Sequence, residues 1–359
     1  MRIGIVIADM MLRGGGERVV ATLANHFVSE FGYEVGIFSL NRTNGEIPYE
    51  LDTKVELQDT GIDLHVDSSI QKATTKLRSL RAIKDYLSSN ELDYVLGVGT
   101  YPSVALALIG SGSTKRIGYE QVAFEACPSN WQLLRRLTYP KLDAVVALTE
   151  YDRRKLSRLN QTSTCIPNCT DFSPPGSANM DEKTLLSVGR LTTQKGFDYL
   201  LKVFHRIHEL RPDWKLRIIG DGELKQELLD TIQRLDLQGC VSICPGTRDI
   251  EREYLQASIY VMTSRWEGFP LVLLEAQACG LPVVSFDCPT GPAEVITDAK
   301  DGYLVSDYDN STMTERILRL IDSRALRCEF SNQARINAEK YSVRNVSRLW
   351  QAIFENTSV

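Results

Sequence analysis

Histidine is scarce in this sequence of 359 residues, which contains four: His26, His65, His205 and His208. The eight cysteines include two pairs with three intervening residues, Cys165 with Cys169 and Cys240 with Cys244, and every histidine lies far from both pairs. Metal sites usually combine closer cysteine spacings with further Cys or His ligands. The pattern therefore argues against a metal site and favours buried free thiols.

Long hydrophobic runs and a basic surplus are also lacking. No apolar run approaches the roughly 20 residues that span a bilayer, and MRIGIVIADM at the N-terminus is too short for the apolar region of a signal peptide. The net charge is −5, whereas general nucleic-acid binders normally carry a basic surplus. We therefore predict a cytoplasmic protein without a nucleic-acid partner, and peripheral contact with a membrane stays open.

Short apolar runs alternate with helical patterns along the chain, and a chain of this length suggests two domains. Eleven runs read as buried strands: RIGIVIA, EVGIFSL, DYVLGVG, KRIGYEQV, DAVVALT, LLSVGR, KLRIIGD, VSICPG, IYVMTS, PVVSFD and GYLVSD. Such alternation predicts βαβ units and parallel sheets covered on both faces. The fold class is therefore α/β, with two Rossmann-like domains facing across a cleft.

The alternation is interrupted near residue 168 by a polar, Pro- and Gly-rich segment, CTDFSPPGSANMDEKT. This break predicts an N-terminal domain of residues 1–168 and a second domain of residues 169–340. Residues 341–359 contain a further helical pattern, from Val343 to Phe354, which could pack on either domain. A helix that crosses back to the first domain is our hypothesis.

The stretch RWEGFPLVLLE, residues 265–275, follows a predicted strand. Pro270 suits the first turn of a helix, where its missing N–H is no loss. The free amides of the next two residues would then form an anion site. Glu267 precedes that site, and Glu275 lies one turn inside the helix. By itself, the stretch is equally well interpreted as an acidic loop near a helix N-terminus, favoured by the helix dipole.

Two further loops at strand ends carry groups suited to phosphate. Arg190 and Lys195 lie in one loop, where a guanidinium can fork onto two phosphate oxygens and an ammonium acts as a point charge. The glycine run Gly14–Gly16 opens the first helix and allows close backbone approach. Neither loop matches a P-loop or Gly-x-Gly-x-x-Gly, and solvated surface cations or a flexible turn remain alternatives.

These motifs together resemble the retaining glycosyltransferases of family 4, which have the GT-B fold. The matching segments are GGGER, SVGRL followed by QKG, IIGDG, and EGFPLVLLEAQACGLPVV followed by DCPTGPAEVI. The resemblance spans nearly the whole chain and is strongest from Leu185 to Asp307. DCPTGPAEVI is especially similar to bacterial enzymes that build surface polysaccharides on lipid carriers.

The resemblance implies a role for each matching residue. Glu275 would bind the donor ribose, Glu267 would contact hydroxyls of the transferred sugar, and Arg190 with Lys195 would hold the diphosphate. Glu267, Arg190 and Lys195 form the implied catalytic set. Further donor contacts would come from Gly15, Gly16, Thr247, Gly268, Phe269, Pro270, Leu271 and Val272.

One departure from the family bears on mechanism. Many members have a His near the transferred sugar, often preceded by Glu, whereas this chain has Glu120 followed by Gln121. Both are candidate contacts to the sugar or acceptor, but Gln cannot titrate. The departure agrees with a front-face mechanism in which the donor's β-phosphate takes the acceptor proton. No cofactor and no metal are expected.

The resemblance therefore implies transfer from a nucleotide diphosphate sugar, a UDP-hexose or UDP-N-acetylhexosamine, onto a glycan acceptor. A polyprenyl-diphosphate-linked glycan of a bacterial surface polysaccharide is the hypothesis for that acceptor. A nucleotide-sugar epimerase with the same fold and a non-catalytic sugar-binding protein are the alternatives. The scarcity of histidine favours transfer over epimerisation, and binding proteins of this kind are commonly exported.

A basic helical pattern suggests contact with an anionic membrane surface. It carries the cations Lys72, Lys76, Arg78, Arg81 and Lys84 beside an apolar stripe of Leu77, Leu80, Ile83 and Leu87. A second basic pair, Arg135 and Arg136, follows Trp131 and two leucines. Such helices suit anionic headgroups or a lipid diphosphate. The alternative is an ordinary surface helix whose stripe faces the core.

Overall fold

The computed structural model describes residues 1–41, 47–63, 69–110 and 112–356. The chain divides into two compact units, the first of Met1–Cys169 with Val343–Val359 and the second of Thr170–Ser342. The boundaries expected from the sequence were 168/169 and 340/341. The α/β class with two Rossmann-like domains is confirmed, because each unit contains one parallel sheet with helices between its strands.

The first unit contains a seven-stranded sheet with the order β3-β2-β1-β4-β5-β6-β7, and all its described pairings are parallel. Its strands are β1 (Arg2–Asp9), β2 (Glu34–Asn41), β3 (Glu56–Asp59), β4 (Tyr94–Val98), β5 (Lys115–Tyr119), β6 (Ala144–Ala147) and β7 (Ser163–Cys165). Its helices are α1 (Gly15–Phe31), α2 (Ser69–Ser89), α3 (Thr100–Ile109), α4 (Ser129–Thr138), α5 (Glu150–Leu156) and, from the C-terminus, α13 (Val343–Asn356).

The second unit contains a six-stranded parallel sheet with the order β10-β9-β8-β11-β12-β13. Its strands are β8 (Thr184–Val188), β9 (Lys215–Ile219), β10 (Val241–Cys244), β11 (Ile259–Met262), β12 (Val283–Phe286) and β13 (Gly302–Val305). Its helices are α6 (Phe197–Leu210), α7 (Lys225–Arg234), α8 (Ile250–Leu255), α9 (Leu271–Ala278), α10 (Pro292–Val295), α11 (Asn310–Asp322) and α12 (Arg324–Ala338).

All eleven predicted strands are present, and the sequence analysis missed the edge strands β3 and β7. Each of the two is short, and neither contains a fully buried residue. An edge strand pairs on one side only and does not need the apolar run of a central strand. The hydrophobic pattern on which the prediction rested is therefore absent from both.

Helix α13 packs on the first unit through aromatic side chains. The Trp350 ring lies 4.8 Å from that of Tyr119, and the Phe354 ring lies 5.7 Å from that of Phe27. The Tyr94 hydroxyl donates a hydrogen bond to the Phe354 carbonyl at 2.5 Å. Because Trp350 and Phe354 are fully buried, the last helix is part of the first unit's core.

The apolar stripe of α2 faces the core instead of the surface. Ile83 belongs to the hydrophobic cluster of the first unit, and Leu80 and Leu87 pack against it. Only Leu77, with 69% of its surface exposed, points away. The membrane interpretation of this stripe is therefore wrong for the buried Ile83 and the partly buried Leu80 and Leu87, because they pack in the core of the first unit. The side chain of Lys72 is outside the described residues.

The cysteine prediction holds only in part. No disulfide joins any of the eight cysteines, all of which lie in the described ranges, but Cys165, Cys240 and Cys244 are partly exposed, whereas Cys169 is buried. Cys165 and Cys244 are the last residues of the edge strands β7 and β10, where a side chain has fewer covering neighbours. Within the described ranges, no helix combines the length and the apolar character that crossing a membrane requires.

Candidate functional site

Loops at one edge of the second sheet bring two of the candidate donor residues, Lys195 and Glu267, together. Strands β8, β11 and β12 are neighbours in the sheet and run parallel, so their carboxyl ends lie at the same edge. Ligands of such sheets bind at that edge. The loop after β8 carries Lys195, and the loop after β11 carries Glu267.

Lys195 and Glu267 form an ion pair at this edge. The Lys195 Nζ donates to Glu267 Oε1 at 2.6 Å, and the two side chains are only 16% and 8% exposed. The residues are 72 positions apart in sequence. A partly buried cation thus lies directly beside a carboxylate, an arrangement able to hold a phosphate oxygen and a sugar hydroxyl side by side.

Arg265 and Gln194 fix the two loops against each other. The Arg265 guanidinium donates to the Thr193 carbonyl at 2.5 Å and to Asp198 Oδ2 at 2.9 Å, and its amide donates to the Gln194 carbonyl at 2.7 Å. The Gln194 side-chain amide donates a hydrogen bond to the Trp266 carbonyl at 3.0 Å. These contacts flank Lys195 on both sides and hold the two residues that precede Glu267.

Gly196 permits this close approach of the two loops. Its φ is +65°, and a Cβ there would lie 2.0 Å from the Thr263 carbonyl oxygen. The Thr263 hydroxyl donates to the Gly196 carbonyl at 2.9 Å. A side chain at position 196 would therefore push apart the segments that carry Lys195 and Glu267.

The start of helix α9 offers free amides beside the ion pair. The helix begins at Leu271, one residue later than expected, because Pro270 has an extended backbone conformation and precedes the first turn. The amides of Leu271 and Val272 come before the first intrahelical acceptor. Such amides and the helix dipole favour an anion at this end.

The Gly268–Pro270 loop is held by the segment after β12. The Thr290 hydroxyl donates to the Glu267 carbonyl, and a Cβ on Gly291 would lie 2.6 Å from Pro270 Cδ. Phe269 is 7% exposed, and its ring lies 5.7 Å from that of Tyr341. The loop before α9 therefore has a fixed conformation.

Glu275 is buried on the inner face of α9, with 3% of its surface exposed. The Tyr254 hydroxyl donates to Glu275 Oε2 at 2.7 Å. Burial, followed by the nearby Glu275 carboxylate, raises the pKa of Tyr254 above its usual value, so the hydroxyl remains a donor. Tyr254 thus fixes one carboxylate oxygen of Glu275, whose contact with a ribose stays a prediction.

Two other predicted donor contacts are exposed. Arg190 lies two residues after the end of β8, and Thr247 lies three residues after the end of β10. The Thr247 hydroxyl accepts a bond from the Asp249 amide at 3.1 Å. Both positions are at the carboxyl edge of the sheet, as the sequence suggested, and their roles in binding remain predictions.

In the first unit, the glycine run lies beside Gln121. Gly15 and Gly16 begin α1, and a Cβ on Gly16 would lie 3.6 Å from Gln121 Oε1. Gly15 is exposed. Strands β1 and β5 both end at this edge, so the fold places the glycine run next to the residue that replaces the family's His.

Glu120 is engaged by protein groups rather than open to solvent. It is 3% exposed and pairs with the fully buried Arg135 at 2.5 Å. Thr100 donates to the same carboxylate at 3.1 Å, and the Tyr139 hydroxyl donates to its other oxygen. Burial raises the pKa of Glu120, an effect that Arg135 opposes. These bonds anchor the segment that carries Gln121.

Four residues that fix the site were not singled out by the sequence analysis: Gln194, Tyr254, Arg265 and Thr290. Three of them lie inside quoted motifs, yet no spacing rule indicates their partners. Tyr254 lies 21 residues before Glu275, in a short helix without a recognisable motif. In the described part of the chain, no group of three or more His, Cys, Asp or Glu could hold a metal ion.

Comparisons with known proteins show what the chain is similar to. The profile of the family Glycosyl transferases group 1 matches residues 170–337. The amylovoran biosynthesis glycosyltransferase AmsD of Erwinia amylovora is 31% identical over 97% of this chain and 98% of its own length. An alpha-1,4-N-acetyl-D-galactosaminyltransferase of Campylobacter jejuni, named for a PP-undecaprenol-linked acceptor, is 26% identical over 98% of this chain and 97% of its own.

A solved structure shares the fold of the whole chain. The structure of a mutant of S. aureus TarM, in complex with UDP, alpha-GlcNAc-glycerol and fondaparinux, has a TM-score of 0.80 at 16% identity. The match covers 98% of this chain and 99% of that chain. The GT-B fold expected from the sequence is thereby confirmed.

The chain belongs to the group 1 glycosyltransferases, the family that its motifs resembled. Its reaction class is glycosyl transfer, as predicted, and its full-length relatives include the amylovoran biosynthesis glycosyltransferase. Neither the epimerase nor the non-catalytic binding protein gains support from these relatives.

Proposed function

We propose that this enzyme moves a sugar from a nucleotide diphosphate donor, a UDP-hexose or UDP-N-acetylhexosamine, onto a glycan acceptor. The observation that carries the proposal is the Lys195–Glu267 pair, at 2.6 Å, beside the start of α9. The cation and the helix amides suit a diphosphate, and the carboxylate suits sugar hydroxyls. The UDP bound by TarM supports UDP as the nucleotide.

The transfer retains the anomeric configuration and needs no metal. Gln121 replaces a titratable group beside the glycine run, so the donor's own β-phosphate takes the acceptor proton. Catalysis is then positioning and stabilisation of the leaving diphosphate by Arg190 and Lys195. Proton NMR of the fresh product tests retention, since inversion of the anomeric carbon would contradict it.

A panel of UDP- and GDP-sugars, read by nucleotide release with and without acceptor, tests the donor and the reaction together. We expect acceptor-dependent release with one or a few UDP-sugars. Release only from GDP-sugars would overturn the UDP assignment. Interconversion of two nucleotide sugars without release would indicate an epimerase, and binding without release a sugar-binding protein.

The acceptor is a glycan on a polyprenyl diphosphate, reached at the cytoplasmic face of a membrane. The Campylobacter relative named for a PP-undecaprenol-linked acceptor supports this assignment. The first unit also presents a suitable surface. On α4, Leu133 and Leu137 are 58% and 62% exposed, one turn apart, with the exposed Arg136 between them.

Helix α2 extends this surface with positive charge. Lys76 Nζ lies 5.3 Å from the centre of the Trp131 ring, which places α2 beside α4. Arg78, Arg81 and Lys84 are exposed on α2, as is Leu77. Exposed leucines flanked by cations favour anionic lipid, because apolar insertion and attraction to headgroups add.

Liposome flotation tests the membrane contact. Wild-type protein should bind vesicles rich in phosphatidylglycerol at low salt, and a variant with Leu133→Ser and Leu137→Ser should bind at least about fivefold less, given the ~25 cal/mol per Å² of inserted apolar surface. Leu210→Ser, at a leucine 55% exposed on the second unit, is the matched control. Equal binding of all three proteins, or no binding at low salt, would refute the contact.

A further inference from the structure

Glu267 is bound to Lys195, the cation that the proposed donor must use. Lys195 carries one compact charge with three N–H donors. Its partner is the 7% exposed Glu267, and their closest atoms are 2.6 Å apart. A diphosphate that takes Lys195 as a ligand therefore meets a carboxylate already bound there.

The backbone segments that carry Lys195 and Glu267 cannot move apart to make room. Arg265 donates hydrogen bonds to the carbonyls of Thr193 and Gln194, and the Gln194 side chain donates to the Trp266 carbonyl. Thr290 holds the Glu267 carbonyl from a third loop. Because these backbone segments are fixed, the Glu267 side chain stays within reach of Lys195 when a diphosphate binds there.

We propose that Glu267 competes with the diphosphate for Lys195, weakens nucleotide binding, and thereby promotes release of the nucleoside diphosphate after transfer. This inference rests on the proposed function, which assigns the diphosphate to Lys195. It adds a task for Glu267 that is separate from gripping the sugar.

The competition depends on whether the sugar is present. With the intact donor, sugar hydroxyls donate to Glu267 and replace the bond that Lys195 gave up. Once the sugar has been transferred, those donors leave with the product. A buried carboxylate without a partner is unfavourable, so Glu267 returns to Lys195 and loosens the diphosphate. The pair therefore favours the donor over the spent nucleotide.

Calorimetric titration of nucleotides into four proteins tests the inference. The proteins are wild type, Glu267→Gln, Lys195→Met and the double variant. The probe is the nucleotide, among UDP, GDP, ADP and dTDP, that binds wild type most tightly. Glu267→Gln keeps the shape of the side chain and removes its charge. We expect it to tighten nucleotide binding about tenfold, the loss of roughly one charge-assisted bond, and to slow nucleotide dissociation in stopped flow.

The double variant separates competition from plain repulsion. Lys195→Met should weaken binding about tenfold or more, and adding Glu267→Gln to it should change affinity less than about twofold. Asp322→Asn, which removes the same charge from an ion pair with Arg211 at 2.7 Å, should leave affinity unchanged. Thermal melting checks that each variant is folded.

Each unfavourable result identifies what fails. Unchanged or weaker binding by Glu267→Gln overturns the competition, as does tightening that persists without Lys195, since Glu267 would then repel the diphosphate directly. Unchanged affinity in Lys195→Met refutes the diphosphate role of Lys195 and with it both proposals. Failure of all four nucleotides to bind wild type below about 1 mM, the upper end of ordinary substrate affinities, removes the donor class itself.

Discussion

Replacing Arg265 should lower the activity of the enzyme without unfolding it, although Arg265 itself touches neither nucleotide nor sugar in our proposal. Its guanidinium, 19% exposed, bonds the Thr193 carbonyl and Asp198 and lies 4.6 Å from the centre of the Tyr199 ring. These contacts flank Lys195. Arg265→Ala removes all of them and frees the turn that positions the cation.

The size of the effect follows from the three contacts. The charged bond to Thr193 contributes about 1.5 kcal/mol. The bond to Asp198 contributes about 0.5 kcal/mol, because that carboxylate is 40% exposed and screened by solvent. The stacking on Tyr199 adds about 0.5 kcal/mol. The turn should therefore lose about 2.5 kcal/mol of local stability, a roughly 60-fold rise in its open population.

Two measurements follow this change. Hydrogen exchange in peptides covering residues 193–198 and 264–268 should accelerate at least about tenfold, because local opening limits exchange there. The kcat/KM for donor should fall about tenfold, through both KM and kcat, since Lys195 serves binding and the leaving group. Arg265→Lys should recover part of the loss, because an ammonium keeps the charge but not the fork.

Arg324→Ala is the matched control. Arg324 makes a two-bond pair with Asp181 in the same unit, with side chains 59% and 64% exposed. An exposed pair contributes less than about 1 kcal/mol, so kcat/KM should stay at the wild-type value. Wild-type exchange and wild-type kcat/KM in Arg265→Ala would refute the positioning role. Activity lost only as the whole protein melts would reduce Arg265 to a general stabiliser.

Three further results are expected. Glu275→Ala should weaken donor binding about tenfold or more by calorimetry, because a charged hydrogen bond is lost. Tyr254→Phe should cause a smaller loss of affinity, because it frees one carboxylate oxygen of Glu275. Unchanged affinity in Glu275→Ala would refute the ribose role. The double variant Arg190→Ala with Lys195→Ala should lower kcat about 100-fold or more, because stabilisation of the leaving group is lost. Its melting temperature should change little. Wild-type rates in this variant would contradict the diphosphate assignment. Transfer should persist in EDTA, and full loss that Mg²⁺ restores would contradict metal independence.

The sequence alone determined the α/β class and the positions of the eleven apolar strands. Burial on both faces of a parallel sheet requires continuous apolar runs, and that requirement is local to each strand. It also indicated which loops lie together as a candidate site, because the carboxyl ends of parallel strands meet at one edge. Lys195, Glu267 and the start of α9 all lie at that edge of the second sheet.

Only the tertiary structure decided which side chains meet. Lys195 and Glu267 are 72 residues apart, and their pairing depends on Gly196 allowing a carbonyl to approach its backbone. The stripe of α2 could equally have faced lipid, and it faces the core because the sheet needed covering. A pattern in the sequence records how apolar each position is, whereas pairing and burial depend on neighbours supplied by distant parts of the chain.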